Sequence, residues 1–270
     1  MNKWIIIDKS YLQGAPALRI SKLSSELGLL MTDALLYELV KNPEKRAKLF
    51  SKFPHKPRPF ELVPNLGYFL RHEAQENNSC GLPSNHIRRI DHSQTENYKD
   101  PKFSLTNDLI AHLSQKKNEI DEDSKQLVAT IASIESVFPE LTGTPKKDRI
   151  PKAQYIKNKI FSNDQLVQQG ANFLISNSPF FQGGLVNTTP AWMTYRWLQV
   201  QLLFALDYWS KHPDGVRTNG RPEFEERIRH DILDAIYITI ALQEGAFATK
   251  EKKLIDWWKK LSPDSLLVTS

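Results

Sequence analysis

The sequence predicts an α/β fold: a parallel β-sheet flanked by helices, with a largely helical and loop-built insertion in its middle. Three observations carry that prediction. A short apolar run, Trp4-Ile5-Ile6-Ile7, ends on a carboxylate, Asp8. Strand-like and helix-like segments then alternate up to Val40. A second alternation closes the chain from Pro222 onward.

Trp4 to Asp8 reads as a buried strand with a carboxylate at its C-terminal edge, the edge where parallel sheets bind ligands. Ile20, Leu23 and Leu27 recur at i, i+3 and i+7, so Ile20 to Leu27 reads as a helix ended by Gly28. Leu29-Leu30-Met31 is a second strand. Thr32 supplies an N-cap for a helix from Asp33 to about Val40, with Asp33 near the positive end of its dipole. The pattern then dissolves. Pro54, Pro57, Pro59 and Pro64 punctuate a loop that also carries Lys52, Lys56 and Arg58. Residues 72–104 are polar and aperiodic, and 105–138 show weak helical spacing. A basic turn, Thr144 to Lys152, leads to a helix near 163–175.

The C-terminal region is clearer. Met193, Trp197, Val200, Phe204 and Tyr208 place a helix over Pro190 to about Lys211, stopped by His212-Pro213-Asp214-Gly215. Pro222 suits the first turn of the next helix, which runs to about Gln243 and closes at Gly245. Ala246 to Thr249 is a strand, Lys252 to Leu261 a helix ended by Pro263, and Leu266 to Thr269 a last strand. The reading is a single domain over 1–270, with 53–160 as insertion or lid and 190–270 completing the core.

Composition sets bounds. Of 270 residues, 40% are hydrophobic and 25% charged, the balance of a globular protein. A single cysteine, Cys80, excludes an internal disulfide framework and a thiolate zinc cluster. No H-E-x-x-H spacing points to zinc. The apolar start stops at Asp8, too short for a signal sequence or a spanning helix, so the expectation is a cytoplasmic protein without a membrane partner. The net charge of +5 permits a polyanionic partner.

Four acids lie at the ends or on the faces of apolar elements: Asp8, Glu38, Asp231 and Asp234. The last two stand at i, i+3 and share one face of their helix, among Ile232, Leu233, Ile236 and Ile240. Like charges in apolar surroundings repel and lose hydration, and a divalent cation relieves both penalties. Mg2+ or Mn2+, which take oxygen ligands, suit such a set.

These segments resemble the PIN-like nucleases. An apolar strand enters Asp-x-Ser in Ile5-Ile6-Ile7-Asp8-Lys9-Ser10-Tyr11-Leu12. A second strand enters Thr and a helix bearing Glu-Leu in Leu30-Met31-Thr32-Asp33-Ala34-Leu35-Leu36-Tyr37-Glu38-Leu39. An Asp-Ala helix, Asp234-Ala235-Ile236-Tyr237, leads through Gly245 to Phe247-Ala248-Thr249-Lys250-Glu251. The likeness covers residues 1 to about 50 and 225 to about 262. Glu251 stands where the family pattern has Asp, and Asp231 is an additional acid one turn before Asp234.

The resemblance implies a metal-dependent endoribonuclease that hydrolyses phosphodiesters with a metal-activated water. Asp8, Glu38, Asp234, Asp231 and Glu251 would hold Mg2+ or Mn2+, with Ser10 and Thr249 as supporting hydroxyls. RNA is preferred to DNA on family frequency alone. Lys9, Arg196, Arg229 and Lys250 are candidates to guide the phosphate backbone, Arg196 standing among Trp192, Tyr195 and Trp197. A structure-specific DNA nuclease, and a catalytically weak nucleic-acid-binding scaffold of the same fold, remain alternatives.

Overall fold

The computed structural model describes residues 3–88, 90, 92–162, 165–212 and 222–269. The chain begins with β1 (Trp4–Ile7), α1 (Lys9–Gly14), α2 (Ala17–Glu26), β2 (Gly28–Met31), α3 (Asp33–Val40) and α4 (Pro43–Phe50). Next come β3 (Glu61–Leu62), α5 (Leu66–Glu76), α6 (Asn107–Val137), α7 (Arg149–Phe161) and α8 (Gln165–Ser176). It closes with α9 (Met193–Lys211), α10 (Pro222–Glu244), β4 (Ala246–Ala248), α11 (Lys252–Leu261) and β5 (Leu266–Val268).

The fold is α/β. Its five strands are all parallel, in the order β3-β2-β1-β4-β5. β1 sets Ile5 opposite Leu29 of β2 and Ile7 opposite Ala248 of β4. Ile5, Ile6, Ile7, Leu30, Met31 and Phe247 are all buried. That is why these strands read as unbroken apolar runs: a parallel sheet flanked by helices gives neither face to water. From β1 the chain builds outward through β2 to β3, then returns to the opposite side of β1 with β4 and β5. Strand order therefore reverses between β1 and β4, which makes that junction the switch point of the sheet.

Two compact units divide the chain. The first comprises Met1–Leu70, Cys80–Lys117 and Ile236–Ser270 and holds the whole sheet. The second comprises Arg71–Ser79 and Asn118–Ala235 and is helical. Of the stretch 53–160 expected as one insertion, 53–70 and 80–117 belong with the sheet.

In the first unit Thr32 caps α3 as expected, its hydroxyl accepting from Leu35 N at 3.1 Å. The helix expected to start at Ile20 starts at Ala17, directly after Pro16. Gly28 is not its stop but the first residue of β2, paired with Trp4. A Cβ there would lie 2.1 Å from the Trp4 ring, so the indole covers a position only glycine leaves open.

The sequence reading missed α1, α4, β3, α5 and α7. α4 is short and charged, burying only Arg46, Leu49 and Phe50, but it carries a legible start: Asn42 accepts from Lys45 N at 3.0 Å and Pro43 occupies the first turn. The proline loop has a core of its own, Phe53 and Phe60 with centroids 5.1 Å apart and Phe50 with Tyr98 4.9 Å apart. Arg46 donates to the carbonyls of Asp100 and Phe103, tying part of the aperiodic stretch 72–104 to α4.

In the second unit α9 is buried on nearly every side from Met193 to Trp209, as the central helix of a bundle must be. It was expected from Pro190, but Trp192 is its cap residue. The basic turn expected over Thr144 to Lys152 gives way to helix from Arg149. Pro151 falls in the first turn of α7, where it is tolerated, and Ala153, Ile156 and Ile160 form the buried face. Lys157 of α7 pairs with Asp207 of α9. The helix read near 163–175 runs from Gln165 to Ser176; 163 and 164 lie outside the described residues, as do 213–215 of the expected stop after α9. Among the described residues no helix is long and apolar enough to cross a membrane.

Candidate functional site

β1 delivers Asp8 to the switch point. Its backbone N donates to Ala248 O at 3.1 Å, continuing the β1–β4 ladder by one residue. Its extended backbone then makes it the N-cap of α1, with Oδ1 accepting from Tyr11 N at 2.7 Å. The Ser10 hydroxyl lies 2.9 Å from both carboxylate oxygens, and the Thr249 hydroxyl donates to Oδ2 at 2.6 Å. The carboxylate is 1% exposed. Burial pushes its pKa up to about 6, against the pull of the bonds from Thr249, Tyr11 and Ser10, and the nearby Glu251 charge adds to the rise. Asp8 is thus short of positive charge.

The loop after β4 closes over the same group. Lys250 N donates to Ser10 Oγ at 2.8 Å, and Glu251 N to Thr249 Oγ1 at 3.1 Å. Ser10 and Thr249 therefore lock the β1 and β4 loops to each other as well as to Asp8. Thr249 itself lies one residue past β4, not within it.

Two lysines finish α1, which has no basic residue in its own last turn. Lys52 Nζ donates to the carbonyls of Leu12, Gln13 and Ala15 at 2.6–2.9 Å, and Lys250 Nζ to that of Gly14 at 3.0 Å. A Cβ on Gly14 would sit 2.6 Å from Lys250 Cδ, so glycine leaves the lysine stem its path. Cations there oppose the negative end of the helix dipole. Lys52→Met should cost about 1–2 kcal/mol in urea unfolding, because three carbonyls lose a charged donor. Amide exchange should quicken first in α1; an unchanged midpoint would show that the cap contributes nothing.

Glu38, on α3, is a second buried carboxylate, 6% exposed. Lys9 Nζ donates to Oε1 at 2.5 Å and the Tyr237 hydroxyl to Oε2 at 2.5 Å. Both oxygens are therefore engaged, one by a full positive charge. Among the described residues no three His, Cys, Asp or Glu side chains are grouped to hold a metal ion. Asp8 meets only hydroxyl and backbone N–H donors, whereas Glu38 already holds the Lys9 ammonium.

No family model, curated protein or solved structure matches this chain.

The remaining predicted positions belong to the second unit, except Glu251 and Lys250 described above. Asp231 and Asp234 are half-buried on α10. Asp231 accepts from the Tyr208 hydroxyl at 2.6 Å, and burial, then the Asp231 charge, raise the Tyr208 pKa. Arg229 Nε donates to Asp121 at 2.7 Å. Arg196 is buried, donating from Nε to Pro190 O at 2.8 Å and from Nη1 to Gln199 Oε1 at 2.9 Å. Burial lowers its pKa to about 10. It braces the start of α9 rather than facing solvent phosphate. Trp192, Trp197 and Trp209 are buried too, and Trp209 lies under the Arg149 guanidinium at 4.6 Å.

Two residues of the site escaped the sequence reading. Tyr237 stood inside the quoted Asp-Ala motif but was given no role of its own. Lys52 lay in the proline loop with no local sign of its partners.

Proposed function

We propose that the chain is a metal-dependent endoribonuclease of the PIN-like kind. Asp8 and Glu38 would hold Mg2+ or Mn2+, with Glu251 the further acid of the same unit. The single observation that carries the reading is Asp8: a buried carboxylate, lacking positive charge, fixed by Ser10 and Thr249 at the switch point of an all-parallel sheet. A divalent ion held there would supply an acidified water and offset charge building on the phosphate.

The chain's own residues do the positioning. Ser10 and Thr249 fix the carboxylate plane of Asp8, and Tyr237 fixes that of Glu38. Lys250, whose ammonium stands on the Gly14 carbonyl at the far end of α1, is the proposed contact for a phosphodiester backbone. No nucleophilic side chain is required.

The test is incubation of the purified chain with mixed-sequence RNA and DNA, single- and double-stranded, with Mg2+ or Mn2+. RNA cleavage should appear, vanish with EDTA, and fall about 100-fold or more in Asp8→Asn with circular dichroism unchanged. A folded protein that cuts neither polymer with either ion would overturn the proposal. The Lys9–Glu38 pair favours a second reading, a non-cleaving nucleic-acid-binding scaffold. That protein would retard RNA in a gel without cutting it, and EDTA would not alter the retardation.

A further inference from the structure

We infer that the lysine face of α11 is a docking surface for the sugar–phosphate backbone of RNA, leading the strand away from the Asp8 edge of the sheet. The inference rests on the nucleic-acid part of the reading above. Residues 250–260 hold five lysines, Lys250, Lys252, Lys253, Lys259 and Lys260, against Glu251 and Asp256. Three of the chain's five net positive charges therefore fall within eleven residues. A surplus so concentrated makes a local field that the same charge, spread over the surface, would not.

α11 has two unlike sides. Leu254, Trp257, Trp258 and Leu261 are buried, with the Trp258 ring 5.4 Å from that of Phe247 in β4. That stripe fixes the helix on the sheet. On the other side Lys252, Asp256, Lys259 and Lys260 are exposed, and Lys253 is half-buried with its ammonium 5.7 Å over the Trp257 ring. Lys252 and Lys259 stand seven residues apart, as do Lys253 and Lys260, so cations mark both ends of a row about 12 Å long. The row starts beside the candidate site. Lys250 N donates to the Ser10 hydroxyl that is bonded to Asp8, and Glu251 is the N-cap residue of α11.

The chemistry of the two sides selects the occupant. A helix that binds a membrane surface lays its apolar face into the lipid. Here that face lies against the sheet, and the side left to solvent is charged, which suits a soluble polyanion. α11 contains no arginine, the residue whose planar fork reads base edges. Lysines meet phosphates as point charges and hold a strand without reading its sequence.

A fluorescent oligouridylate, titrated with the full chain in EDTA so that nothing is cut, tests this by anisotropy. Each phosphate neutralised on a single strand adds about 0.7 to the fall of log K with log salt. Replacing Lys252, Lys253, Lys259 and Lys260 together by Gln should weaken binding about tenfold or more at low salt and make that slope shallower by about 2–3. Replacing Lys45, Lys48, Lys146 and Lys147, all exposed, removes as much charge elsewhere and should leave the slope as in wild type. Asp256→Asn, which takes the acid out of the row, should tighten binding about twofold, a readout that stands even if the fourfold α11 variant fails to fold. Equal losses in the two fourfold variants, or no tightening by Asp256→Asn, would overturn the surface. So would a wild-type chain that ignores the RNA and binds phosphatidylserine vesicles. Cleavage is read separately with Mg2+ or Mn2+. The expected binding shifts without cutting would keep the surface and remove the nuclease; cutting by a chain whose α11 variants bind as wild type does would do the reverse.

Discussion

Glu73→Ala should destabilise the second unit by about 3 kcal/mol or more, the sum of three buried hydrogen-bonding groups left without their acceptor. α9 begins at Met193, and its cap residue is Trp192, whose side chain makes no capping bond. The cap comes instead from α5. The fully buried Glu73 accepts from Met193 N at 2.7 Å through Oε1, and from Thr194 N and Thr194 Oγ1 at 2.8 Å through Oε2. A carboxylate at this point also meets the positive end of the helix dipole. α9 is the core of its unit, so loosening its first turn disturbs packing along α7 and α8. Urea unfolding followed by circular dichroism reads the effect. Glu73→Gln, which keeps one accepting oxygen, should lose about half as much; a loss below about 1 kcal/mol in the alanine variant would show that Glu73 is not the cap.

A pH effect of similar size is expected from Asp8, with a sign opposite to that of a salt-bridged carboxylate. Its pKa is about 6 in the folded chain against an ordinary 3.8, so the folded state binds the proton more tightly than the unfolded state does. Stability from this group is therefore full below about pH 4 and declines as pH rises through 6. The loss amounts to about 3 kcal/mol, at 1.36 kcal/mol for each pH unit between the two values. In EDTA, Asp8→Asn should remove this decline. The difference in unfolding free energy between variant and wild type should shift in the variant's favour by that amount between pH 4 and pH 7. A difference that is flat in pH would show that Asp8 is not held in its protonated form by burial. On the proposed metal-dependent reading, divalent metal added to wild type at pH 7 should recover part of the loss; no recovery would count against that reading.

Much of the fold's frame was legible because its signals are local. Four apolar residues ending on Asp8, the Thr32 cap before an apolar helix and the strand candidates at both ends of the chain each announce themselves within a few residues. Elements whose stability comes from elsewhere did not. α4 shows three buried residues in eight, and β3 is two residues long, so neither has a period to detect. α7 hid behind Pro151, a breaker in the middle of a helix but not in its first turn. Arg196 illustrates the limit for charged residues: a guanidinium among aromatics reads equally as a phosphate contact or as a buried brace, and only its bonds to Pro190 and Gln199 decide.

By itself the sequence determined that a parallel sheet forms and that Asp8 stands at its carboxyl edge, because strand period and strand end are properties of neighbouring residues. Tertiary structure alone decided which groups meet Asp8 and Glu38. The β1–β4 register sets Ile7 opposite Ala248 and so brings Thr249 onto Asp8, across 241 positions of chain. α3 and α10 bring Tyr237 onto Glu38 across 199. The Lys9 charge, adjacent to Asp8 in sequence, is directed by the helix that follows it onto the other acid. Side chains that far apart carry no mutual signal in a single sequence. Their meeting is fixed by backbone pairing and by the need of a buried charge for a partner.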